Sequence, residues 1–183
     1  MQNLFGTTQR RKVFISYYHK DDQGYRDHLE KFFGHLFISK SVQPGDINTD
    51  VSTEYIKRLI QGDYISDASV VLVLLSPKTL CRMHVDWEIS AALNGKVGGY
   101  SGVAGIVLPT LKPTSDSRYD HAKLPARLVD NLVSGFSKLW TWEHVVSSNI
   151  NMMEMIEDTF SSRINRSDKI NNSRIQMGKN TCE

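Results

Sequence analysis

A chain of 183 residues with 40% hydrophobic and 23% charged side chains has room for one core of ordinary size and is too apolar for a disordered segment. Its 22 basic and 20 acidic residues nearly cancel to +2, and no stripe of alternating basic and aromatic residues runs through it, so a nucleic-acid partner is not expected. Arg10-Arg11-Lys12, the one tight basic run, reads as a solvated approach to the first strand.

The two cysteines, Cys81 and Cys182, are far apart, and the second lies in a polar tail. That spacing argues against a disulfide framework and for a reducing compartment. No stretch approaches the roughly 20 apolar residues of a membrane span, and the polar start MQNLFGTTQ lacks the apolar run of a signal peptide. The expected address is cytoplasmic, with no membrane partner.

In chain order, residues 12–18, KVFISYY, form a β-branched and aromatic run that stops at the polar cluster His19-Lys20-Asp21-Asp22, predicting a buried strand and then a loop. Tyr25, Leu29, Phe32, Phe33 and Leu36 recur at three- and four-residue spacing, predicting a helix over 24–36. A strand over 37–42 follows, then turn chemistry at Gln43-Pro44-Gly45-Asp46, in a loop that runs on to Asp50. Tyr55, Ile56, Leu59 and Ile60 predict a second helix ending near Gly62, with Ser52 or Thr53 as its cap.

Residues 68–75, ASVVLVLL, are apolar without alternation, the pattern of a strand buried on both faces of a parallel sheet. Val85, Ile89, Ala92 and Leu93 define a helix that stops at Asn94-Gly95. Residues 103–108 form another apolar strand, 112–125 a long polar surface loop, and 139–142 a last short strand. Ile150, Met153, Ile156, Glu157 and Phe160 suggest a closing helix. The expected layout is an N-terminal arm at 1–10, the domain proper at 11–145, a closing helix at 146–165 and a disordered polar tail at 166–183.

Strands alternating with helices predict an open, mostly parallel α/β sheet with helices on both faces, in flavodoxin-like layering. In such sheets ligands sit outside the carboxyl ends of the strands, so the loops after Tyr18, Val42 and Leu75 are where chemistry is to be sought. Several chemistries are set aside. Cys81 and His84 have no second pair nearby for a structural zinc, the glycines of 95–105 lack a Gly-Lys-Ser/Thr ending, and Ser76 has no Gly-x-Ser-x-Gly frame. Neither a metal nor a prosthetic group is expected.

Three stretches together resemble the TIR-like family, and in particular the ThsB-type proteins of Thoeris anti-phage defence. Val13-Phe14-Ile15-Ser16-Tyr17-Tyr18 with His19-Lys20-Asp21 is similar to the family's opening strand and the loop beneath its nucleotide. Residues 68–77 are similar to its central strand and serine-containing exit, and His84-Val85-Asp86-Trp87-Glu88-Ile89 to the aromatic-x-x-x-Glu-Ile arrangement that carries its glutamate. His84 stands where many relatives have tryptophan. The resemblance covers about residues 11–142.

It implies NAD⁺ as substrate, Glu88 as the catalytic carboxylate, and an ADP-ribose-derived nucleotide that reaches a partner effector, with self-association on activation. A non-catalytic module working through protein–protein contacts is the second reading, because a fold does not fix a function. Taken alone, Glu88 reads as a solvated helix carboxylate, and the resemblance reverses that. The candidate substrate-binding residues are Ser16, Tyr17, Tyr18, Asp46, Asp50, Ser76, His84 and Trp87. Tyr17 and Tyr18 alternate across a strand, so only the outward one is a ligand candidate. Trp87 reads first as a packing residue that can also stack on a base, while Asp46 and Asp50 read equally well as turn formers.

Overall fold

The computed structural model describes residues 9–40, 65–95, 97–114, 116 and 118–182. Five strands form one sheet: β1 (Lys12–Ser16), β2 (Ile38–Ser39), β3 (Val70–Leu75), β4 (Gly102–Val107) and β5 (Lys138–Thr141). Their order is β2-β1-β3-β4-β5 and every pairing is parallel, so the chain reverses its direction of travel across the sheet between β1 and β3. A crevice opens outside the carboxyl ends of strands at such a switch point.

The helices divide between the two faces. α1 (His19–Phe33), α4 (Trp142–Val146) and α5 (Asn149–Asn165) cover the face that receives Val13, Ile15, Val70, Leu72 and Leu74. α2 (Met83–Ala92) and α3 (Ala126–Val133) cover the face that receives Phe14, Val71, Val73 and Leu75. All six residues of β3 are buried, because both faces of a central parallel strand are roofed by helices. Gly102 has a packing reason: a Cβ there would lie 1.7 Å from the Thr159 carbonyl oxygen, so only glycine lets α5 pass this close to β4.

α2 is unusual in being buried on every side, from Val85 to Ala92. A helix covered all round needs a second partner besides the sheet. The C-terminal segment supplies it. The sequence predicts a disordered tail there, but residues 171–182 run along α2 and α3 as a strap. The Asn131 amide donates to the Asn171 carbonyl (2.7 Å), Asn172 donates to the Ser90 carbonyl and to Asn94 Oδ1, and Gln176 donates to Ser90 Oγ. Arg174 grips Asp130 through Nε (2.8 Å) and Nη2 (2.9 Å). Asn180 Oδ1 accepts the Met83 backbone N–H, and Cys182 is disulfide-bonded to Cys81. The expectation of no disulfide is therefore corrected, and with it the cysteine argument for a reducing compartment loses its basis. The pairing links residues 101 apart through a tail whose polar composition, taken as a sign of disorder, is what satisfies the outer face of α2.

Other boundaries move for local reasons. α1 starts at His19 rather than at Gly24, so the expected loop after Tyr18 is the helix's first turn, where Asp21 and Asp22 complement the positive end of the helix. The strand predicted at 37–42 is paired only over Ile38–Ser39 within the described residues. The last strand spans 138–141, and Trp142 opens α4 instead. α3, entered through Pro125, had no counterpart in the sequence reading. The helix expected over 52–62 lies outside the described residues, as do Asp46 and Asp50. No helix among the described residues is long and apolar enough to cross a membrane.

Candidate active site

β1 and β3 end side by side, with Ser16 in register with Val73. Alternation places Ser16 on the same face as Phe14, the one roofed by α2. On α2, residues four apart share a side, so His84 and Glu88 face one way while Asp86, two positions on and about 200° around the helix, faces the other. Ser16 Oγ donates to Glu88 Oε2 at 2.5 Å, which brings the end of β1 and the middle of α2 together.

Glu88 is 7% exposed and makes no other hydrogen bond to a described residue. Burial in a low-dielectric interior disfavours its charged form and pushes its pKa up to about 8, only partly offset by the Ser16 hydroxyl. At neutral pH the carboxyl is therefore held mostly as the neutral acid.

Across the crevice, Ser76 follows β3 and donates to Asp22 Oδ2 at 2.7 Å, and its backbone N–H reaches Thr79 Oγ1 at 2.9 Å. Asp22 is itself buried, and burial raises its pKa against the lowering effect of the Ser76 hydrogen bond. The pair fastens the first turn of α1 to the exit of β3. Ser76 is thus engaged locally, the commoner role of a serine at a strand end.

The two tyrosines separate as alternation requires. Tyr17 is buried, donates to Gln23 Oε1 at 2.7 Å and stacks on His19 with ring centres 4.2 Å apart. Tyr18 is the outward one, and the Arg82 guanidinium lies 3.7 Å over its ring. His84 sits one turn before Glu88 with its Nε2 buried and without a hydrogen-bond partner. Burial, and then the nearby His19, push the His84 pKa down and favour the neutral imidazole. Trp87 packs in the core and donates its indole N–H to the Met177 carbonyl of the strap at 2.8 Å, an arrangement of packing rather than base stacking.

The structure therefore brings Ser16, Tyr18, His84 and Glu88 together, and adds Asp22, Thr79, His19 and Arg82, which the sequence reading did not single out. The signal for Asp22 was its place in the polar run after β1, misassigned to a loop. The signal for Arg82 was a lone cation just ahead of the helix that carries the glutamate.

The family model of the Thoeris protein ThsB, TIR-like domain, matches residues 14–113. The chain belongs to the ThsB TIR-like family. The match begins within β1 and ends past β4, so it contains every residue of the cluster around Glu88. Among solved structures, this TIR-like domain is similar to the TIR domains of the activated Roq1 resistosome directly recognizing the pathogen effector XopQ. That match has 13% identity over 82% of this chain and 84% of the other, with a TM-score of 0.41. No curated protein matches the chain.

Proposed function

We propose that this TIR-like domain cleaves NAD⁺ between nicotinamide and ribose, with Glu88 as the catalytic carboxylate, and passes an ADP-ribose-derived nucleotide to a partner effector in anti-phage defence. The observation that carries the reading is a buried carboxyl beside the end of β1 with a single hydrogen-bond donor among the described residues. A carboxyl placed only for stability is ordinarily saturated with partners.

The chemistry suits one carboxylate. Nicotinamide leaves with the electron pair of its bond to the ribose and departs neutral, so no general acid is required. Positive charge develops on the ribose, and a carboxylate beside it stabilises that charge by fixed electrostatics. Water, or a hydroxyl of an acceptor, then adds to the ribose carbon and releases a proton.

Glu88 must lose its own proton first. In the free enzyme kcat/KM is expected to rise with pH through about 8. The cationic nicotinamide ring favours the carboxylate form once bound, so the kcat profile is expected at lower pH.

A second reading, a non-catalytic module acting by self-association or by binding another protein, is favoured by one observation: Glu88 is only 7% exposed. The deciding experiment incubates the full chain with NAD⁺, with and without lysate of phage-infected cells, and follows nicotinamide and new nucleotides by mass spectrometry. Nicotinamide from the wild type and none from Glu88→Gln supports cleavage. Its absence from both, infected lysate included, overturns the enzyme reading in favour of the association module.

A further inference from the structure

Five arginines of this domain differ in how their guanidinium groups are partnered. Arg11, Arg127 and Arg174 each place Nε and Nη2, the side-on fork of the guanidinium, on the two oxygens of a carboxylate: Glu157, Asp86 and Asp130 respectively. Arg26 also has a buried Nε without a hydrogen-bond acceptor, but its charge is paired with Asp27 and Glu30. Arg82 differs. Its Nε and Nη2 are buried with no acceptor, and no described carboxylate pairs with it.

A planar fork of this kind matches the oxygens of a carboxylate or a phosphate. Leaving it unpaired in a buried setting costs free energy, so an unsatisfied charged fork calls for an explanation.

The surroundings select among acceptors. Tyr18 presents its ring face to Arg82. His84, two residues on, contributes a second buried nitrogen without a partner, and His19 lies close enough to His84 to influence its protonation. The Arg82 guanidinium thus stands near imidazole nitrogens, with no carboxylate among the described residues paired to it.

Glu88 lies one helical turn beyond His84 on the same side of α2, and six residues, about 9 Å of helical rise, beyond Arg82, whose guanidinium is turned over the Tyr18 ring. In a dinucleotide the first phosphate is one sugar ring away from the nicotinamide bond. The cavity of about 270 Å³ on the strap side of α2, bordered by Arg82, Asp86 and Arg174 among others, is a weaker candidate. Two of its charged groups, Asp86 and Arg174, are already paired within the protein.

We propose that Arg82, assisted by His84, binds a phosphate of the substrate's diphosphate and so fixes the ribose over Glu88. The choice of a diphosphate rests on the NAD⁺ reading, but the need of the Arg82 fork for an anionic partner does not. Arg82 is on this view a binding and positioning residue.

The test is titration calorimetry of the full chain with inorganic pyrophosphate and, separately, with ADP-ribose, using wild type, Arg82→Gln, Arg82→Lys and Glu88→Gln. The expected result is pyrophosphate binding by wild type and Glu88→Gln, weakened at least tenfold in Arg82→Gln and only partly restored in Arg82→Lys, which keeps the charge but loses the fork. Equal binding by wild type and Arg82→Gln, or no binding of either probe by wild type, overturns the proposal. The melting temperature of Arg82→Lys serves as the folding control, and if Arg82→Gln does not fold the wild-type-to-Lys difference decides. Binding through Arg82 without nicotinamide release under any condition removes the cleavage reading and leaves the phosphate site standing. Cleavage with an unchanged KM in Arg82→Lys does the reverse.

Discussion

Two carboxyl groups two residues apart on one helix have been given opposite treatment. Asp86, on the strap side of α2, is 4% exposed and accepts from Arg127 Nε at 2.8 Å, Arg127 Nη2 at 3.3 Å and the Met177 backbone N–H at 2.8 Å. Glu88, on the crevice side, is comparably buried and, among the described residues, accepts from Ser16 alone. The first is a saturated ion pair that fixes helix to strap. The second is left to titrate near neutrality, which costs stability but leaves it able to respond to a bound cation. Burial alone therefore does not separate a structural acid from a candidate catalytic one, whereas the number of donors around it does.

The comparison can be broken most forcefully at Asp86. Asp86→Ala strands the buried Arg127 guanidinium, and a loss of about 3–5 kcal/mol is expected by denaturant unfolding, because removing one partner leaves the other charge uncompensated. Glu88→Gln at pH 7 should cost far less. Equal losses would erase the distinction drawn here.

The next effect in size concerns the clip. Cys182→Ser should lower stability by about 2–4 kcal/mol under oxidising conditions, and added reductant should bring the wild type to the same value. Amide hydrogen exchange should then quicken at Met177 and Thr181, whose backbone N–H groups bond Asp86 and the Cys81 carbonyl.

The third effect is in pH. Glu88 has a folded pKa of about 8, raised above its ordinary 4.5, so the folded state binds the extra proton and the stabilisation is fully present below about 4.5. As pH rises from there through about 8, this one group should remove stability at up to about 1.4 kcal/mol per pH unit. A thermal melt series should show that slope in wild type and lose it in Glu88→Gln, and parallel curves would show that Glu88 does not titrate in this range.

The smallest effect is at Ser16. Ser16→Ala removes the hydroxyl that favours the Glu88 carboxylate, so the rise of kcat/KM should move to higher pH than in wild type. An unmoved profile would mean that Ser16 holds the side chain without influencing its charge.

The sheet and its helices were legible because their signals are short-range. Residues 70–75 could hardly be other than a doubly covered strand, and the apolar spacing of α2 is plain in the chain. Glu88 was legible through the family motif around it. The strap was not, because its stabilising contacts join residues up to 101 apart, and asparagine-rich segments look the same whether they face water or cap a helix. The Asp86–Arg127 pair was hidden for the same reason, since 41 positions separate the partners. One local signal was present and misread. Val85, Trp87 and Ile89 alternate with Asp86, Glu88 and Ser90, all six are buried, and so many buried polar groups on one short helix imply a second covering layer that the sheet cannot supply.

The disulfide also decides where a handle attached next to Cys182 is held. Cys182 is fixed to Cys81, immediately before Arg82, so a fluorophore or affinity tag attached next to Cys182 is tethered beside the N-terminal end of α2, the helix that carries Glu88. A tag placed ahead of residue 9 joins the molecule at the amino end of β1, the opposite end of the sheet from Ser16 and Glu88. Labelled protein prepared in the two ways should therefore give different activities from the same polypeptide.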